Sequence, residues 1–349
     1  MTLPAASLPV SHASHQNPTV EPARAEKVAL VDVEDLSVSF RTRDGTVAAL
    51  DRVSFSVARG RTLGMVGESG SGKSVSAYAL MHLLGDAAEV SATKMTLAGL
   101  DLLTARPDAI QALRGKTVSM IFQNARMALN PIRPIGLQLM DVLRRHRAMI
   151  KADAREAAIN ALAEVRIPDP KRRFDAYPFE LSGGMCQRVM IALAFASDPE
   201  VLIADEPTTG LDVTTQATIM DLIAEKAAKR AMSTILITHD LALAADHCDD
   251  FAVMHAGHVV ERCTTATIKS APVHPYTSLL VRATPTAASS LAELSSIPGN
   301  LPDLRSALPS CRFAHRCTFR QPVCDTPLPR VTLSDRHIVA CHMPWKDAP

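Results

Sequence analysis

The sequence predicts an α/β fold: a buried parallel sheet, an antiparallel β-subdomain ahead of it, an α-helical subdomain inserted into it, and a small cysteine-rich C-terminal extension. Three observations predict this. The apolar run Leu63-Gly64-Met65-Val66 passes into Gly67-Glu68-Ser69-Gly70-Ser71-Gly72-Lys73-Ser74 and then into a helical pattern over 75–81, the order strand, glycine-rich loop, helix. Further apolar runs at 118–122, 201–204 and 233–238 each end in polar side chains, as buried parallel strands do at a ligand crevice. Residues 124–197, between two of those runs, change to a helical period.

The 349 residues suffice for a large core and two domains. With 47% apolar and 21% charged residues the composition is that of a globular protein, and a formal charge of +1 argues against a broadly basic nucleic-acid surface. No apolar run approaches the roughly 18 residues of a membrane span, so any membrane role is expected to be peripheral. Residues 1–27 are rich in Ala, Pro, Ser and His and lack a basic start followed by an apolar block. They read as a disordered tail rather than a signal peptide. A cytosolic chain is expected, with its seven cysteines as thiols or metal ligands sooner than disulfides.

From 28 to 57, apolar alternation in three runs, with turns at Arg43-Asp44-Gly45 and Arg59-Gly60, predicts antiparallel strands. Phe40, at one strand end, suits the core or the face of an adenine ring. The loop 67–74 fits G-x-x-x-x-G-K-[ST]. In that pattern the backbone N–H groups curl around phosphates, Lys73 reaches the β/γ-phosphates, Ser74 offers a hydroxyl to Mg²⁺, and the next helix aims its positive end at the anion. Gln123 sits at the ligand edge, where it suits orienting a water or completing a metal shell; taken alone, such a glutamine is commonly a loop residue. Helical periods at 137–143 and 152–165, broken by Pro168, Pro170 and Pro178, build the inserted subdomain. It closes in Leu181-Ser182-Gly183-Gly184, with Ser182 as N-cap and bare helix N–H groups open to an anion. With a phosphate loop upstream, Asp205 suits Mg²⁺ and Glu206 suits general-base activation of water. Asp212 precedes a helix over 214–230, and His239 follows the strand 233–238, placed to hydrogen-bond a terminal phosphate. A hairpin at 251–255 and 258–261 comes next, and from about 284 the composition is linker-like.

In this order, the loop 67–74, Gln123, Leu181-Ser182-Gly183-Gly184, Asp205-Glu206, Asp212 and His239 resemble the nucleotide-binding subunit of ABC transporters, a P-loop NTPase, over about residues 28–280. The resemblance implies ATP and Mg²⁺ at the seam of a head-to-tail pair. Gly67, Glu68, Ser69, Gly70, Ser71, Gly72, Lys73, Ser74, Gln123, Asp205 and His239 would bind one nucleotide, with Phe40 stacked on its adenine. Ser74, Gln123 and Asp205 would hold Mg²⁺, and Glu206, His239 and Gln123 would carry hydrolysis. Ser182, Gly183 and Gly184 would reach the γ-phosphate on the partner's P-loop, with Asp212 communicating across the interface. Cys186 stands where an arginine is common in the family. Soluble ABC ATPases acting on DNA or ribosomes usually carry two ATPase halves or a long coiled coil, whereas this chain has one motif set and no heptad run of that length.

His274-Pro275-Tyr276-Thr277, Ile297-Pro298-Gly299 and Cys341-His342 resemble the extension of oligopeptide and dipeptide importer ATPases, and Met185 after Ser-Gly-Gly resembles their D-type subunit. Nickel and glutathione importers share these features. The resemblance implies an ATP-hydrolysing subunit that energises peptide uptake from the cytoplasmic face of the bacterial inner membrane. It implies an F-type ATPase partner, two transmembrane permease subunits docked on the helical subdomain, a periplasmic or lipid-anchored binding protein, and no nucleic acid. The expected division is a tail at 1–27, an ATPase domain at 28–283 with its helical subdomain at about 124–197, and an extension at 284–349.

Cys311, Cys317, Cys324 and Cys341 are separated by five, six and sixteen residues. Four neighbouring thiols in a cytosolic chain suggest a metal. Zinc usually takes paired C-x-x-C knuckles, a [4Fe–4S] cluster also takes four thiolates, and unligated thiols are a third reading. Peptide-importer relatives with this spacing resemble iron–sulfur carriers, which favours a structural cluster. Cys186, Cys248 and Cys263, in or near regular elements, are expected to be buried thiols.

Overall fold

The computed structural model describes residues 29–284 and 296–344; the expected tail at 1–27 and most of the expected linker lie outside the described residues. Strands β1 (Ala29–Thr42) and β2 (Gly45–Ala58) form a long antiparallel hairpin. The apolar runs 46–50 and 53–57 are therefore one strand, interrupted in parity rather than in chain. Val31 and Val33 are buried, then Leu36 and Val38; on β2, Leu50 gives way to Val53, Phe55 and Val57. One extra residue in each strand switches the face its side chains occupy. Asp35 and Arg52 absorb the change at φ 54° and 50°, and their N–H groups donate to Ser54 Oγ (2.8 Å) and Ser37 Oγ (3.0 Å).

β3 (Thr62–Val66) and α1 (Lys73–Leu80) follow. The next stretch has no strong period in the sequence, and β4 (Ala88–Ser91), β5 (Lys94–Leu97) and β6 (Leu100–Asp101) add it to the hairpin sheet, in the order β2-β1-β5-β6 with β4 also on β1. After α2 (Pro107–Leu113) and β7 (Val118–Ile121) comes the helical subdomain: α3 (Ala125–Ala128), α4 (Ile135–Arg147), α5 (Lys151–Glu164), α6 (Pro170–Arg173) and α7 (Gly183–Phe195). α4 buries Ile135, Leu139 and Leu143, and α5 buries Ala154, Ala158 and Leu162. Each set recurs every four residues, so each helix turns one stripe inward.

The chain continues through β8 (Val201–Asp205), α8 (Val213–Lys229), β9 (Ser233–Thr238), α9 (Leu241–Ala245), β10 (Asp250–His255), β11 (His258–Thr264), α10 (Thr265–Ser270) and α11 (Pro275–Arg282), and then β12 (Val331–Ser334) and β13 (His337–Val339). The main sheet runs β12-β13-β11-β10-β3-β9-β8-β7, and β10, β3, β9, β8 and β7 are parallel. Every residue of β7, β8 and β9 is buried, because helices or the hairpin layer cover both faces. The C-terminal extension is part of this body: Ala340 N–H donates to the Val260 carbonyl (2.8 Å), and His337 Nε2 lies 2.8 Å from the buried Glu261.

At the start of α4 the helical subdomain leaves no room for a side chain at Gly136. The Gly136 N–H donates to the Phe174 carbonyl (2.9 Å), and a Cβ at Gly136 would overlap the Phe174 ring. Gly136→Ala is expected to destabilise the protein by about 1–3 kcal/mol through overpacking, seen as a lower midpoint in chemical denaturation.

Candidate active site

Four parallel strands, β3, β9, β8 and β7, lie side by side, so the loops leaving their C-terminal ends share one edge. Gly67 leaves β3 at φ 148° against the Met254 carbonyl, where no side chain fits. Ser69 and Gly70 form the exposed tip, Ser71 is buried, and Gly72 precedes α1 as its N-cap. Lys73 is buried, with Nζ donating to the carbonyls of Gly67 (2.8 Å) and Glu68 (2.9 Å). Burial pushes its pKa down, against the opposing pull of Glu206, Asp205 and Glu68. The Glu68 N–H and carboxylate face away from the loop's interior, toward Tyr276 and Arg316.

Asp205, at the end of β8, accepts a hydrogen bond from Ser74 Oγ at Oδ1 (2.8 Å), while its buried Oδ2 has no hydrogen-bond partner among the described residues. Burial raises the Asp205 pKa, and the Ser74 and Tyr78 hydroxyls offset only part of this. A buried, unpartnered acceptor beside the Ser74 hydroxyl oxygen fits a hard divalent cation, whose charge would reduce the burial penalty.

Glu206 has φ 44°, a left-handed conformation costing about 1–2 kcal/mol for a residue with a Cβ, and its N–H donates to the Ile237 carbonyl of β9 (2.9 Å). Its carboxylate accepts hydrogen bonds from Thr209 Oγ1 (2.7 Å) and Gln123 Nε2 (3.0 Å), and His239 Nδ1 stands 3.5 Å away. Burial opposes the charge of Glu206, but Thr209, His239 and Lys73 outweigh it and hold the carboxyl below its ordinary range. The arrangement places an ionised carboxylate beside one whose buried oxygen has no partner among the described residues. Thr209 was not anticipated; it donates its N–H back to the Glu206 carbonyl (3.2 Å), and that tight turn is its only local signal.

Phe40 is half-buried on β1 opposite Val47, and the neighbouring β2 residues Ala49 and Leu50 lie against Gly72. Residues 182–184 stand at the N-terminus of α7, where Ser182 Oγ accepts from the Met185 N–H (3.3 Å). Gly184 faces the Thr215 methyl, beside Asp212, which caps α8 by accepting from the Thr215 N–H (3.0 Å) and Oγ1 (2.7 Å). Among the described residues, no hydrogen bond joins 182–184 to the cluster around Lys73. The thiol of Cys186 is buried and donates to the Pro178 carbonyl (3.4 Å), so this side chain faces the interior of the helical subdomain. Cys248 and Cys263 are also buried.

Cys311, Cys317, Cys324 and Cys341 line one cavity of about 20 Å³, with His274 and Phe313 on its wall. Burial, then the neighbouring cysteines, push Cys311 up to about 11, and burial raises Cys317 and Cys341. Among the described residues, no three His, Cys, Asp or Glu side chains close on a point that would hold a metal ion. The thiols thus share a void without the convergence that the expected iron–sulfur cluster, or a tetrahedral zinc, needs.

Residues 50–209 match the family model for ABC transporters, and residues 260–324 that for the oligopeptide/dipeptide transporter C-terminal region. A putative peptide import ATP-binding protein of Brucella melitensis is 45% identical, over 89% of this chain and 94% of its own. The dipeptide transport ATP-binding protein DppD of Escherichia coli is 44% identical, over 92% and 98%. The oligopeptide transport ATP-binding protein OppD of Salmonella typhimurium is 42% identical, over 91% and 95%. The dimeric ATP-binding cassette MJ0796, solved in a post-hydrolysis state with ADP and phosphate, superposes with a TM-score of 0.61 at 24% identity, over 67% of this chain and 98% of its own, a likeness of fold.

Asp205→Asn keeps the shape of the side chain and removes a buried charge. Because folding raises the Asp205 pKa, the carboxylate destabilises the native state as pH climbs through that raised value. Without nucleotide, the variant is expected to melt above wild type at neutral pH, with a gain that disappears on acidification, while losing Mg²⁺-dependent ATP binding. Thermal unfolding in a chelator at neutral and acidic pH checks the stability effect.

Proposed function

The chain belongs to the ATP-binding proteins of ABC transporters, and from that premise we propose that it is the ATPase subunit that energises uptake of oligopeptides or dipeptides. The observation that carries this reading is the meeting of Lys73, Ser74, Asp205, Glu206, Gln123 and His239 at one sheet edge, in a chain whose later residues match the oligopeptide/dipeptide transporter region. The loop 67–74 holds the phosphates with backbone N–H groups and Lys73. Ser74, Asp205 and Gln123 would hold Mg²⁺, which when bound supplies Lewis-acid stabilisation of the phosphoryl oxygens. Glu206 orients the attacking water and takes its proton, Gln123 and Thr209 hold that carboxylate in place, and His239 faces the terminal phosphate.

Residues 182–184, on their own helix end, serve the nucleotide of a partner ATPase, and Asp212 beside them lies at the same seam. We assign the partner as a distinct F-type subunit. Met127 and Ile132, 82% and 80% exposed in the segment after Gln123, support docking of this surface on two membrane permease subunits, with an external binding protein supplying the solute. No helix among the described residues is long and apolar enough to cross a membrane. A peripheral place on the cytoplasmic face of the inner membrane is part of the same proposal.

Glu206→Gln in the assembled complex is expected to abolish hydrolysis while ATP binding persists and the ATPase pair stays closed. Steady-state phosphate release checks this, and undiminished turnover would remove Glu206 as the base.

The spacing of the four C-terminal cysteines, not the geometry of their void, is what supports an iron–sulfur cluster as a structural staple. Protein purified without oxygen is expected to contain iron and acid-labile sulfide, both measured colorimetrically; colourless protein lacking both would end this assignment.

A further inference from the structure

Glu68 is the one charged residue of the phosphate loop besides Lys73, and its carboxylate is turned to the C-terminal extension. It is gripped by Arg316, whose Nη1 donates to Oε2 at 2.7 Å and Nη2 to Oε1 at 2.9 Å. The Arg316 side chain is 1% exposed, so the pair is shielded from solvent on the arginine side. Arg316 Nε donates to the Pro298 carbonyl at 2.7 Å, and Leu301 lies against Gly70. The backbone of residue 68 is held as well: its N–H donates to Tyr276 Oη at 3.0 Å, and its carbonyl accepts from Lys73 Nζ at 2.9 Å. The ring of His255 also approaches, with Nδ1 3.6 Å from Oε2, but burial, then Arg316, push its pKa down to about 3. The neutral imidazole leaves Arg316 as the cation that Glu68 answers.

We propose that Arg316 is a positioning residue for ATP binding: through its two-pronged grip on Glu68, the C-terminal extension holds the phosphate loop in its receptive curve. The Arg316 guanidinium spends its hydrogen bonds on Glu68 and the Pro298 carbonyl. It acts by fixing the second residue of a loop whose N–H groups must already point inward before phosphate arrives. A fork of two parallel N–H donors fixes the carboxylate plane as well as its distance, which a lysine cannot do. Arg316 also lies in the turn between Cys311 and Cys317, where the Ala314 N–H donates to the Cys311 carbonyl (3.0 Å) and the Cys317 N–H to the Ala314 carbonyl (3.3 Å). The grip is thus built from the cysteine-bearing turn.

This inference rests on the chain being an ATPase, and binding of Mg²⁺-ATP by the wild-type full-length chain tests that reading separately. Equilibrium binding of ATP is measured for wild type, Arg316→Gln, Arg316→Lys, Glu68→Gln and the Arg316→Gln/Glu68→Gln double variant, with KM and kcat taken in the assembled complex. Arg316→Gln is expected to weaken ATP binding by about tenfold, the scale of a typical coupling between sites, and to raise KM with kcat changed less than about twofold. Arg316→Lys should fall between it and wild type. The double variant should bind no more weakly than Arg316→Gln alone, because both substitutions break one grip. Wild-type affinity in Arg316→Gln, or losses that add in the double variant as general damage to the extension would produce, overturns the proposal while leaving the ATPase reading intact.

Discussion

A cradle of backbone N–H groups holds phosphate only while the chain keeps its curl, and no side chain can replace those groups. Here the curl is imposed from several sides. β3 is fixed between β9 and β10, Gly67 is pressed against the Met254 carbonyl, the Ser71 carbonyl accepts from the Gly257 N–H, and Lys73 closes the inner side. The other functional groups are registered to this loop by the sheet. Val66 pairs with Thr238, which places His239, and β8 and β7 step outward from there to place Asp205, Glu206 and Gln123.

Two adjacent carboxylates at that edge are driven in opposite directions. Asp205 is buried with one oxygen unpartnered and its pKa raised; Glu206 is surrounded by donors and positive charge and its pKa lowered. Environment, not residue type, sets the two apart: one carboxylate keeps a buried oxygen without a partner, the other is held ionised by its donors. The left-handed backbone at Glu206 makes the division possible, since an extended residue there would continue the alternation of β8 and point its side chain elsewhere.

The parts legible in the sequence are those with local causes. The strand–loop–helix at 63–81, the N-cap role of Ser182 and the strand 233–238 each declare themselves within a dozen residues, and the structure has them close to where the pattern puts them. Illegible were features set by partners distant in sequence. The parity switches at Asp35 and Arg52 belong to both strands of a hairpin at once, so each strand alone reads as broken. β4 and β5 are short, β4 almost wholly exposed, and both are held by pairing with β1. Arg316 and Glu68 are 248 positions apart, and nothing near either residue announces the other. The cysteine spacing was visible, whereas the single shared cavity required the fold.

β13 lies along β11, and β12 lies along β13, so the extension supplies the last two strands of the sheet that carries the nucleotide loop. A chain ending before the extension would leave β11 as a bare margin, with the Val260 carbonyl stripped of the Ala340 N–H and Glu261 stripped of His337. An unpaired strand of that kind is a template for another chain. The extension therefore also moves the margin of the sheet from β11 out to β12, a strand of only four residues that offers a far shorter template.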